Sequence, residues 1–260
     1  MSNEKSETAI SEKKNTSVAV PSAFLDDANS GLETLTADDI TIPRLKVLQA
    51  MSPEVMKSDS KYIEGASAGD IINTVTSKLY TDDEPLVVLP VAYKRLFLEW
   101  GPRESGGGLV AQHEDSSILS KTSKDNMGRD MLENGNYIQT SATHFVLSIH
   151  KDGSYDTAMI AMAGTQLKKS RTWNSVMASI KMKSGDKVFT PASFSHKYIM
   201  KTKAESNDRG TWFGWNITLD GPIAESEMSL YQAAKGFAST VGDVNISQPT
   251  DTDASTEAPF

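Results

Sequence analysis

The chain has no cysteine among its 260 residues. That absence excludes disulfides, thiolate nucleophiles and cysteine-ligated zinc, and it fits a reducing cytoplasm. Long apolar runs are lacking as well. No stretch approaches the ~18 residues of a membrane span, and Met1 to Asn15 is polar, without the apolar centre of a secretory signal. Catalytic patterns are scarce. His113, His144, His150 and His196 are the four histidines. His144 and His150 fall on one strand face, too far apart along the strand to chelate a metal unaided. There is no His-Glu-x-x-His and no Gly-x-Ser-x-Gly. Asp82-Asp83-Glu84 reads as a solvated turn. Gly106-Gly107-Gly108 lacks the Lys-Ser/Thr ending and the strand–helix setting of a phosphate-binding loop. The expectation is a protein that is not an enzyme and holds no metal or cofactor.

Cations are outnumbered, 26 Lys and Arg against 34 Asp and Glu, for a net charge of −8. Read by segment, the imbalance changes sign. Residues 1–40 sum to −5, residues 41–159 to −4 and residues 220–260 to −6, whereas residues 160–210 sum to +7. One basic block between acidic segments points to a face for a polyanion and an acidic tail able to compete for it.

Residues 1–37 are rich in Ser, Glu, Lys and Thr and are expected to be disordered, as are residues 241–260. Residues 38–240 are expected to form one domain. Ile40 to Leu48 alternates like a strand, with a helix after Pro43 as the competing reading. Asp70 to Thr76 is β-rich, and Leu86 to Trp100 is the longest strand signal, with Pro90 marking an edge or bulge. Thr143–Ile149 and Thr157–Ala163 flank Asp152-Gly153, a hairpin signal. A helix is expected from Thr165 to about Met182, with Trp173, Val176, Met177 and Ile180 on one arc and Lys168 and Arg171 opposite. Strands follow over His196–Ala204 and Thr211–Leu219, then a short helix over Ala224–Phe237. The expected fold is mainly β with one or two helices, an OB-like barrel with N-terminal additions and disordered termini. A β-sandwich is the alternative.

The basic block supplies the candidate site. Lys168, Lys169 and Arg171 sit in the first turns of the expected helix, where cations oppose the positive end of the helix dipole unless an anion binds. Lys197, Lys201 and Lys203 project from one strand face, with Tyr198 and Met200 on the other. The partner strand carries Trp212, Phe213 and Trp215, with Arg209 at the turn. Trp212, next to the tip, is expected to be exposed. Lys94-Arg95, near Phe97 and Trp100, repeats the mixture, and Arg103 with the Gly triplet is expected to make a mobile lip over a groove. Cations that follow a backbone, interleaved with rings on which bases stack, are the parts that single-stranded nucleic acid needs.

The chain ends Asp251-Thr252-Asp253-Ala254-Ser255-Thr256-Glu257-Ala258-Pro259-Phe260. A terminal ring and carboxylate behind a proline form a handle that a pocket with a cationic rim can grip. With the basic aromatic hairpin His196–Leu219, the phrase Ile42-Pro43-Arg44-Leu45-Lys46-Val47-Leu48-Gln49 and the following Ser52-Pro53-Glu54-Val55, this tail resembles phage-encoded single-stranded DNA-binding proteins. Bacterial relatives of that group end in an acidic run closing on Asp-Ile-Pro-Phe. Here Ala258 replaces the isoleucine, and Thr and Ser dilute the acids. The resemblance implies a cytoplasmic protein that coats and protects single strands in phage DNA replication and recombination. It also implies an acidic tail (Asp251, Asp253, Glu257, Pro259, Phe260) that recruits replication or recombination proteins. No membrane partner is expected, and a homo-oligomer is compatible. A strand-annealing recombination protein and a phage structural or host-interaction protein are the rival readings.

Overall fold

A computed structural model describes residues 21–28, 30–35, 39, 41–102, 106–208 and 210–241. The chain divides into two compact units, Met1–Ile40 and Thr41–Phe260. The first contains one short helix among its described residues, α1 (Ser22–Asp26). The charged tail residues Asp251, Asp253 and Glu257, with Pro259 and Phe260, lie outside the described residues, as do Arg103 and Arg209.

The second unit is mainly β, as expected. Strands β1 (Leu45–Val47), β2 (Ile71–Asn73) and β3 (Leu79–Tyr80) form a small antiparallel sheet. The main sheet is built on two long central strands, β4 (Leu86–Trp100) and β8 (Tyr137–Ile149). On the far side of β4 lie β5 (Leu109–His113) at one end and β12 (His196–Asn207) at the other, and β12 pairs in turn with the edge strand β13 (Gly210–Pro222). On the far side of β8 lie β9 (Tyr155–Ala163) and the short pair β6 (Ser123–Lys124) and β7 (Asp130–Met131). Helix α2 (Leu167–Ser179) follows β9, then a separate hairpin of β10 (Met182–Ser184) and β11 (Lys187–Phe189). Helix α3 (Met228–Thr240) follows β13.

The main sheet curls into a half-barrel. A register shift between Pro90 and Ala92 marks the bulge anticipated from the proline, and such bulges bend and twist a strand. On the inner face Leu86, Val88, Val146, Ile160, Met200 and Trp215 pack with Leu45 and Ile71 of the small sheet and with Trp173 of α2. On the outer face Leu89, Val91 and Leu147 meet Leu230 and Ala234 of α3. Burial on both faces explains why Leu86–Val91 is a continuous apolar run rather than an alternating one.

The segment before β2 spans the open side of this half-barrel. Met159 of β9 donates its N–H to the Pro43 carbonyl at 2.8 Å. At the other side, the Gln49 side-chain amide accepts from the Phe213 N–H at 2.8 Å and donates to the Phe213 carbonyl at 2.9 Å. No described helix is long and apolar enough to cross a membrane.

Three expectations change. The first strand begins at Leu45 rather than Ile40. Helix α2 ends at Ser179 because Ile180 has extended backbone (ψ 128°), so Met182 opens a hairpin instead of continuing the helix. The polar stretch after Gly101 contains β5, β6 and β7.

Candidate functional site

Helix α2 positions the densest set of candidate residues. Its apolar arc behaves as the 3.6-residue period demands: Trp173 is buried, and Val176 and Met177 pack against the inner core. The Trp173 ring stacks on His144, centroids 4.4 Å apart, and meets Tyr198 edge-on at 5.6 Å. His144 pairs with the Ser170 hydroxyl at 2.8 Å. Burial drives the His144 pKa down to about 3, so its ring is neutral. On the opposite side Lys168 and Arg171 are exposed.

The helix is joined to the edge of β13 by a polar seam. Lys169 Nζ lies 2.5 Å from Glu205 Oε1, and Trp212 Nε1 donates to Glu205 Oε2 at 3.1 Å. Burial alone would raise the Glu205 carboxyl, but bonds from Lys169, Trp212 and Gln166 outweigh it and hold it below the usual carboxylate range. Gln166 accepts from the Trp215 N–H at 2.9 Å. Gly214 makes this crossing possible, because a Cβ there would stand 2.6 Å from Glu205 Oε2 and 2.9 Å from Gln166 Nε2.

Beyond the seam, α2 and β13 diverge to leave a cleft of about 700 Å³. Thr165, Lys168, Lys169 and Thr172 form the helical wall, and β13 from Trp215 to Leu219 forms the other. Trp173 and Tyr198 also line it. The Trp173 Nε1 and the Tyr198 hydroxyl are buried without a hydrogen-bond partner among the described residues, and burial pushes the Tyr198 pKa up to about 12.

The β10–β11 hairpin stands out from the sheet as an arm whose every residue from Lys181 to Thr190 is exposed. Met182 pairs across it with Phe189, and Lys183 with Val188. Phe189 is 38% exposed and Val188 62%. Lys181-Met-Lys-Ser-Gly-Asp-Lys-Val-Phe189 contains a hairpin signal, a Gly-Asp turn between alternating residues. Extending the helical period through Met182 hides it. From Leu167 to Phe189 the sequence has six cations and one acid, Asp186. Of the six, Lys169 alone forms an ion pair among the described residues.

The remaining predicted residues are scattered. Burial alternates along β12, so Lys197, Lys201 and Lys203 do share the face opposite Tyr198 and Met200. Two of them are tied to acids. Lys197 bonds both Glu227 carboxylate oxygens at 2.8 and 2.9 Å, and Lys201 lies 3.6 Å from Asp82 Oδ1. Lys94 and Arg95, adjacent on β4, point to opposite faces; Lys94 meets Glu114 at 3.4 Å and Arg95 is exposed. Trp212, expected to be exposed, is only 8% accessible, because its indole N–H is committed to Glu205. Trp215 is buried too, although it lines the cleft. The fold therefore brings Lys168, Lys169, Arg171 and Trp215 to one region and sends the β12 lysines elsewhere. Among the described residues no His, Asp and Glu group could hold a metal ion.

A family described as Pam3 phage gp34-like protein matches residues 12–247 of the chain. No curated protein and no solved structure matches it.

Proposed function

We propose, from the premise that the chain belongs to the Pam3 phage gp34-like family, that it is a single-stranded DNA-binding protein acting in the host cytoplasm. It coats and protects single strands during phage DNA replication and recombination. The observation that carries this reading is the stretch of α2 and the arm, Leu167 to Phe189, with six cations and one acid, five of the six cations forming no ion pair among the described residues. Lys168, Arg171, Lys181, Lys183 and Lys187 neutralise phosphates there and release counterions. Phe189, with Met182 beside it, offers an exposed ring for a base, and such stacking is worth ~1–3 kcal/mol per base. Binding needs no chemical step. Residues 242–260 hold four acids and no cation, and in this reading they recruit replication or recombination proteins.

Titration with oligo-dT, followed by tryptophan emission at low and high salt with a duplex control, tests the proposal. Salt-sensitive binding of the single strand in preference to the duplex is expected. Absence of binding at low salt refutes it, and rapid annealing of complementary strands would assign the surface to a strand-annealing protein instead.

A further inference from the structure

The free edge of β13 is closed along one half and open along the other. In an antiparallel ladder, alternate residues turn both N–H and C=O toward the neighbouring strand, and the residues between turn theirs away. Phe213 and Trp215 show which set faces away from β12, since Phe213 is bracketed by the Gln49 amide and the Trp215 N–H is taken by Gln166. By the same period Ile217 and Leu219 turn their peptide groups outward. No ladder bump intervenes, because the register shift of this hairpin lies between Lys197 and Tyr198, beyond the Leu219 pair. Among the described residues nothing hydrogen-bonds these groups. Leu219 is 42% exposed, so the edge is accessible, and it borders the cleft beneath α2.

We propose that this open edge, Ile217 to Leu219, takes an extended acidic peptide of another protein as an additional β-strand. The peptide groups at positions 217 and 219 have the spacing of a strand partner, and the cleft gives room for one. Charge sets the partner's chemistry. Lys169 is neutralised by Glu205, whereas Lys168 on the same wall forms no ion pair among the described residues, next to the positive end of α2. An acidic side chain on the added strand satisfies it. Ile217 and Val176 offer apolar contact to the alternate side chains. Strand addition of this kind draws affinity from main-chain bonds and selectivity from side-chain pockets. Lys168 is shared with the DNA reading, but strand addition at Ile217 and Leu219 does not require DNA binding.

The test follows amide hydrogen exchange by NMR in the full chain, with a synthetic peptide of about six alternating Val and Glu residues and its Val-Lys counterpart. The Val-Glu peptide is expected to slow exchange at Ile217 and Leu219 roughly tenfold or more, while the ladder amides of Asn216 and Thr218 stay as they were. Leu219→Pro removes one outward N–H and no ladder bond, so binding is lost while the thermal melt is kept. Leu219→Ala retains binding. Lys168→Glu weakens the Val-Glu peptide and favours Val-Lys. Unchanged exchange at saturating peptide, or equal binding of both peptides, overturns the proposal. So does protection of the same two amides by oligo-dT in place of peptide, which would assign the edge to nucleic acid. Protection already present in the full chain and lost on truncation after Val241 overturns it as well, since the occupant would then be the chain's own terminus.

Discussion

The lysines of β12 and those of α2 with the β10–β11 arm belong to one basic block in the sequence, yet the fold treats them differently. On β12, Lys197 is locked to Glu227 and Lys201 approaches Asp82, acids far away in the chain. On α2 and the arm, five cations extend into solvent without an acid partner among the described residues. The difference teaches that local charge in a sequence becomes a surface field only where folding brings no opposite charge to meet it. Neutralised lysines hold elements together. Unmatched ones remain able to release counterions to a polyanion.

If the β12–β13 hairpin is framework and the arm is a binding element, their responses to truncation must separate. The largest effect belongs to the framework: Trp215→Ala is expected to cost ~3–5 kcal/mol in urea unfolding, against less than about 0.5 kcal/mol for Phe189→Ala. Similar losses at both positions would break the comparison. Next, Gly214→Ala should destabilise by about 1–3 kcal/mol, because the new methyl displaces Glu205 and Gln166 from the seam with α2; a neutral result would mean that the seam is slack. For binding, replacing Lys181, Lys183 and Lys187 together by Ala should reduce the salt slope of oligo-dT affinity by about 2, at roughly 0.7 per phosphate contact. The pair Lys197→Ala and Lys201→Ala should leave that slope nearly unchanged. The smallest effect is Tyr198→Phe, which removes an unpartnered buried hydroxyl and should shift stability by less than about 1 kcal/mol. A larger loss in thermal unfolding would reveal a bound water or ligand at that oxygen.

Much of the framework was legible in local patterns. The Asp152-Gly153 turn between two β-rich runs announced β8 and β9, and the run from Leu86 to Trp100 announced the longest strand, though not its burial on both faces. The inward arc of α2 followed from helical period alone. What escaped depended on partners that only the fold brings in. Trp212 looked exposed because it adjoins a hairpin tip, but its cross-strand neighbour Glu205 takes the indole N–H and is itself held by Lys169 of α2. The lysines of β12 looked available because Asp82 and Glu227 lie more than a hundred residues before and about thirty after. The arm was hidden for a different reason: residues 180–182 fit the helical period as well as they fit a strand, and the Gly185-Asp186 turn that decides between them comes later.

The two glutamines that bond the edge of β13 fix the alignment of any added strand. A bare edge lets an incoming strand slide in steps of two residues, each offset meeting the same pattern of donors and acceptors. Gln49 and Gln166 occupy those positions toward the hairpin tip, so any strand laid on the remaining edge meets a fixed stop at Trp215.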